Sequence, residues 1–336
     1  MGINQKTLVL GSKRSIIREI FEYSKTRAAE IGAENVYDFS LGNPSVPAPA
    51  EVNDTIRQLL DSESSVLLHG YTSAQGDANV RKVISDSIKE HFGVESITPN
   101  HIYMTCGAAA SLTICLNAFC NSGDEVIALA PFFPEYRVFV EKAGAKLVVA
   151  KCRESDFQID FEVLEKSITK NTKAIIVNSP NNPTGVVYSA ETIKAICDVL
   201  AAKEKEYGHA IYLISDEPYR ELVYDGVTVP WVPDYYKNTI VAYSFSKSLS
   251  LPGDRIGYLA LRNEVEDFDN IVYGVAVATR IMGFINAPAL SQMVCAECCE
   301  ETVDVSFYDK NRETLYNALR EYGYEVAKPQ GAFYMF

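Results

Sequence analysis

Short apolar runs rich in β-branched residues recur from residue 101 onward, and each gives way to a stretch with apolar residues three or four apart. The runs HIYMT, EVIALA, KLVVAKC, KAIIVNS, IYLISDE, TIVAYSFS and GYLALR predict strands. Between them GAAASLTICLNAF, PEYRVFVEKAG, FEVLEKSI and ETIKAICDVLAAKEKEY predict helices. Strands that are apolar on both faces and separated by helices belong to a covered, mainly parallel sheet. The fold class is therefore α/β, with a sheet of the seven-stranded type and helices on both faces. Upstream, residues 13–31 predict an amphipathic helix, and VYDFSLGNPSVPAP, with one glycine and three prolines, predicts a loop and a domain crossing. Residues 286–336 predict an inter-domain helix, a second helix and a strand at GAFYMF.

Length changes this picture first. A chain of 336 residues exceeds one ordinary core, so a large domain and a smaller one are expected. The net charge of −13 argues against nucleic acid and against an anionic membrane as partners. No apolar run reaches the roughly 18 residues of a membrane span, and the N-terminus lacks the pattern of a secretory leader. Eight cysteines dispersed over so long a chain suggest buried thiols of a cytoplasmic protein. Cys295, Cys298 and Cys299 fall in one helical run without a second ligand pair, so packed thiols explain them better than a metal.

In parallel α/β sheets ligands gather at the carboxyl ends of strands. After HIYMT comes Cys106-Gly107-Ala108-Ala109-Ala110, opening a helix. Small residues there leave backbone N–H groups open to a phosphate, although a tight turn needing glycine explains the same residues. After EVIALA comes PFFP, in which Phe133 is either core or the cover of a flat ring. NSPNNPTG follows the fourth run, and its Asn182 has an amide to offer a ligand oxygen. Asp216-Glu217-Pro218-Tyr219 follows the fifth, and a carboxylate there must be paired, whether by a ligand, an ion pair or a helix cap.

The sixth run leads into Ser244-Phe245-Ser246-Lys247, with Arg255 shortly after. A lysine held near neutrality by burial attacks carbonyls, and serines with an arginine suit a phosphate. Each position alone is ambiguous. Pyridoxal 5′-phosphate uses them all: its aldehyde for Lys247, its ring nitrogen for Asp216, its 3-oxygen for Asn182 and Tyr219, its face for Phe133.

NSPNNPTG, SDEPY and SFSKSLSLPGDRIGY, in this order, resemble the class I aminotransferases, pyridoxal-phosphate enzymes of the aspartate aminotransferase fold (fold type I). The resemblance runs from about Asp38 to the last residue. It implies Lys247 as the Schiff-base lysine and proton carrier, and Asp216 as the partner of the ring nitrogen. It implies Asn182 and Tyr219 at the ring oxygen. Ser244, Ser246, Arg255 and the amides of Ala108 and Ala109 are implied at the phosphate. Tyr71, in HGYTSAQG, matches a tyrosine delivered by the second subunit of a homodimer, and Gly42, in SLGNPSVP, a glycine lining the substrate pocket.

The implied domains are 1–45 as the N-terminal part of a small α+β domain, 46–285 as the cofactor-binding domain holding every cofactor contact, and 286–336 as the inter-domain helix and the incomplete remainder of the small domain. Phe133 stands where many members have Trp or Tyr. Ala109 stands where an aspartate-specific branch has lysine. Arg137 and Arg280 are candidate replacements, but solvated surface arginine is the better reading of each. The arginine that clamps the substrate α-carboxylate in the family belongs to a segment beyond the point matching Phe336.

The implied activity is transfer of an amino group between an L-amino acid and a 2-oxo acid. A β-eliminating C–S lyase of the same fold shares every cofactor residue. A non-catalytic pyridoxal-phosphate-binding protein is a rival of another class, but no helix-turn-helix segment precedes residue 38. A nicotinamide dehydrogenase lacks its glycine fingerprint here.

Overall fold

The computed structural model describes residues 2–12 and 16–336, with the side chain of Lys6 left out. The chain forms two compact units, Met1–Ser45 and Val46–Phe336. The first holds helices α1 (Gln5–Ser12) and α2 (Ile16–Ile31), followed by an irregular segment. The helix predicted over 13–31 is thus seen from Ile16, and residues 13–15 lie outside the described residues. Ser24 Oγ donates to Asp38 Oδ2 at 2.5 Å and ties α2 to the segment that follows it.

The second unit begins with α3 (Ala50–Ser62), α4 (Ser65–His69) and α5 (Ala78–Phe92). Strands and helices then alternate: β1 (Ile102–Thr105), α6 (Ala108–Phe119), β2 (Glu125–Ala130), α7 (Glu135–Lys142), β3 (Lys146–Lys151), α8 (Phe161–Ser167), β4 (Thr172–Asn178), α9 (Ala190–Tyr207), β5 (Tyr212–Asp216) and β6 (Thr239–Ser244). The single turn α10 (Phe245–Ser248), β7 (Gly257–Leu261), α11 (Phe268–Ile281), α12 (Ala289–Glu297) and α13 (Val305–Glu321) complete it.

Among the described residues seven strands form one sheet in the order β1-β7-β6-β5-β4-β2-β3. All neighbours run parallel except β7, which is antiparallel to β1 and β6. Every residue of β1, β5, β6 and β7 is buried, as the unbroken apolar runs require. The edge strand β3 instead alternates, exposing Lys146, Val149 and Lys151. Leu112, Leu116, Val126 and Val275 belong to the core of one face, Ile175, Ile196 and Leu213 to that of the other.

Two predictions from the pattern need correction. TIVAYSFS does not stay extended: β6 ends at Ser244, whose side chain accepts from Ser246 N and starts α10. GAFYMF is not a strand. Gly331 makes an isolated bridge to Val223, and the segment then turns, held by Ala332 N to Leu222 O and by Tyr224 OH to Ala332 O. Arg312 of α13, with a side chain only 4% exposed, bonds Asp225, Asp309 and the carbonyl of Pro329, and so anchors this segment.

One close approach fixes the geometry where the strands end. Gly257 pairs with Ser244 on one side and Thr105 on the other. A β-carbon on Gly257 would collide with the Tyr243 carbonyl oxygen and come within 3.0 Å of Gly107 Cα and 3.1 Å of Ser244 Cα. Gly257→Ala is expected to lower stability by about 1–3 kcal/mol through overpacking, read as a lower denaturant midpoint. An unchanged midpoint would show that the three backbones separate without cost.

Candidate active site

The carboxyl ends of β1, β4, β5 and β6 carry the functional side chains. β6 ends in the turn α10, which lifts Lys247 off the sheet at a largely buried position. Its ammonium lies 5.2 Å from the centre of the Phe333 ring and 6.0 Å from that of Tyr219. Burial, helped by the charge of Arg255, lowers the lysine to about 8, so a sizeable fraction is neutral near physiological pH.

Asp216 ends β5, 5% exposed. Burial raises its carboxyl to about 7, with Glu217 adding to the rise and the Tyr136 hydrogen bond opposing it. Tyr136 OH donates to Oδ2, while Oδ1 is shut off from solvent with no partner. A buried acceptor without a partner is costly, so this oxygen is suited to a donor from outside the chain.

Asn182 Nδ2 lies 3.4 Å from the hydroxyls of both Tyr219 and Tyr334, which themselves meet at 2.7 Å. Asn178 supports the group: its Nδ2 donates to the Asp216 carbonyl at 2.8 Å, and its Oδ1 accepts from Asn182 N at 2.7 Å.

A cradle closes the other end. Gly107, at φ +88°, caps α6 with no side chain to occupy the first-turn amides of Ala108 and Ala109. A β-carbon there would lie 3.4 Å from both Arg255 Nη2 and Ser244 Oγ, which places those two donors around the turn. Ser244 Oγ and Ser246 Oγ are 2.7 Å apart. Thr105 Oγ1 and Ser111 Oγ, also 2.7 Å apart, brace the turn beneath.

The structure therefore brings together Lys247, Asp216, Asn182, Tyr219, Ser244, Ser246, Arg255 and the Ala108–Ala109 turn. Phe133 joins through Tyr136, edge-on at 5.7 Å. Tyr71 stands outside the cluster, 92% exposed. Gly42 lies in the irregular segment of the first unit and is described with it. Arg137 and Arg280 are exposed, Arg137 paired with Glu141 on its own helix.

Three participants were not read from the sequence: Tyr136, Asn178 and Tyr334. The phenol at 136 sits five residues beyond PFFP's first proline in an ordinary helix, and nothing local marks it. Tyr334 comes from beyond residue 285: the 331–334 segment folds back, and its hydroxyl meets Asn182 Nδ2 and the Tyr219 hydroxyl.

These groups fit pyridoxal phosphate: an orphaned carboxylate oxygen for a ring N–H, a near-neutral buried amine for an aldehyde, and a glycine turn with hydroxyl and guanidinium donors for a phosphate. The fold is the α/β fold of the aspartate aminotransferases. The model for aminotransferase class I and II matches residues 34–336, and the chain belongs to that family, whose members depend on pyridoxal phosphate.

A probable aspartate aminotransferase of Methanocaldococcus jannaschii is 31% identical over 96% of this chain and 82% of its own length. The aromatic-amino-acid aminotransferase 2 of Thermococcus litoralis is 28% identical over 96% and 80%. Among solved structures, an amino transferase from Eubacterium rectale superposes with a TM-score of 0.97 at 52% identity, covering all of this chain and 84% of that one. The protein is thus an aminotransferase and not a dehydrogenase.

The Asp216 shift makes a pH-dependent prediction for the cofactor-free protein. Its folded pKa, about 7, lies above the usual carboxylate value near 3.9, so the stability it contributes at low pH is lost as pH rises through 7. Asp216→Asn cannot ionise. Its melting temperature should exceed that of the cofactor-free parent at pH 8, with the difference shrinking towards pH 5. A difference independent of pH would mean that Asp216 is not held protonated by burial.

Proposed function

We propose that this chain moves an amino group between an L-amino acid and a 2-oxo acid, with pyridoxal 5′-phosphate attached at Lys247. The observation that carries the reading is the amine of Lys247, buried and near 8, beside Arg255 and the rings of Tyr219 and Phe333, with an orphaned Asp216 oxygen at the end of the neighbouring strand. The bound cofactor supplies an aldehyde and a ring that withdraws electron density from the substrate α-carbon. The chain supplies the rest. Lys247 Nζ, partly neutral, takes the substrate α-proton and gives it back. Asp216 accepts the ring N–H and, with a cation beside it, is drawn back to its ionised form.

Asn182 and Tyr219 donate to the ring oxygen. Tyr334 fixes the Tyr219 hydroxyl, and Phe133 flanks the ring. Ser244, Ser246, Arg255 and the amides of Ala108 and Ala109 hold the phosphate. In this reading 46–285 is the cofactor-binding domain, with 1–45 and 286–336 belonging to the smaller one, although Tyr334 reaches into the site.

The working form we propose is a homodimer that brings Tyr71 of each chain to the other's phosphate. Its support is exposure: Tyr71, Val66 on α4, and Tyr273 and Ile281 on α11 are large apolar groups left in solvent. A cytoplasmic location is supported by eight free cysteines, and a role in amino-acid metabolism by the aminotransferase names of its relatives. Among the described residues no helix is long and apolar enough to cross a membrane.

Borohydride reduction of the yellow protein should fix the cofactor to one peptide, modified at Lys247. Recovery on another lysine would refute the assignment. Sedimentation at assay concentrations should show a dimer, and an active monomer would remove Tyr71 from the site.

A further inference from the structure

A cavity of about 350 Å³ lies behind the lysine turn, within the size range of small-molecule sites, and none of Lys247, Asp216, Asn182, Tyr219 or Arg255 lines it. Ile84, Ile88 and Val227 give it apolar walls, while Glu221, Glu300 and Glu301 give it a carboxylate side. We propose that this cavity binds a small organic cation, an ammonium group on an apolar body, with the ammonium N–H donating to Glu221 Oε2.

The charge balance calls for a cation. Arg220 also lines the cavity, but its guanidinium is ion-paired with Glu217, its Nε donating to Oε2 at 2.6 Å and its Nη1 to Tyr258 OH at 3.3 Å, and it is boxed by the rings of Phe92, Trp231 and Tyr243. Three carboxylates at the cavity thus face one guanidinium that already has its own partner. His91, also on the wall, lies 3.5 Å from Glu300 and tempers only the outer carboxylate.

Glu221 points to the place of contact. Its Oε1 accepts from Tyr243 OH at 2.8 Å, whereas Oε2 is closed off from solvent and has no hydrogen-bond partner. Burial raises the pKa of this carboxyl against the pull of Arg220, and an ammonium would restore its ionised form. The same Tyr243 hydroxyl reaches Ser248 Oγ at 3.0 Å, next to Lys247.

The test reads binding, not turnover, so its outcome does not depend on the proposed transamination. Trp231 is the only tryptophan of the sequence, stacks on Phe92 at 4.6 Å and lies 5.2 Å from Arg220, two residues of the cavity wall. The cofactor-loaded full chain is titrated with N,N-dimethylbutylamine, a tertiary amine that keeps one N–H when protonated and cannot condense with an aldehyde. We expect a saturable change in Trp231 emission with a Kd of about 1 mM or tighter, and none with butyrate. Glu221→Gln should weaken binding by about tenfold or more. Should that variant fail to fold, Val227→Phe, which fills the cavity, should abolish binding. No saturable change, equal response to butyrate, undiminished binding by Glu221→Gln, or retained binding in Val227→Phe would each overturn the proposal.

Discussion

Two ionisable groups taken out of water at the ends of neighbouring strands govern the structure. Asp216 and Lys247 end up where neither is comfortably charged: the acid is pushed up to about 7 and the base down to about 8. Such positions persist only if the surrounding scaffold is stiff enough to hold them against their preference for solvent. The fully buried strands β5 and β6 provide that stiffness, and the hydrogen bonds of Tyr136 and Asn178 keep the β5 end in place. The same desolvation that disfavours the charged forms makes the amine nucleophilic and the carboxylate selective for a cation.

Around this pair the chain uses distant segments. The cradle at Gly107 depends on Gly257, a residue on another strand, because only a hydrogen at that α-carbon lets β1, β6 and β7 approach so closely. The Tyr219 hydroxyl depends on Tyr334, whose segment is anchored in turn by Arg312 among three carboxylates. A buried guanidinium with several acceptors is costly to disturb on one side alone, so α13 and the site are mechanically joined.

Much of this was legible in the sequence. The strands are short, apolar and β-branched, so their positions and the covered sheet followed from burial on both faces. Lys247, Asp216, Asn182 and Arg255 stood out only together: each is ambiguous alone, but one ligand, pyridoxal phosphate, has a use for all of them. Tyr136, Tyr334 and Gly257 did not stand out. A tyrosine in an amphipathic helix, another in an apolar segment and a glycine opening a strand are each ordinary locally, and their importance arises from contacts across long stretches of chain. GAFYMF was misread for a related reason: its apolar composition suits a strand, but its backbone bonds go to Leu222 and Gly185 as single tethers and not to a continuous ladder.

The edge strand β3 has a consequence for how the molecule behaves in a crowded solution. An open sheet edge offers unpaired backbone groups to any extended chain, its own copies included. Here Val149 faces solvent, but Lys146 and Lys151 bracket the strand, both exposed. Stacking a second copy edge to edge would bring like charges together at each end. These lysines therefore guard the edge against pairing with another extended chain, leaving the sheet free to stay solitary.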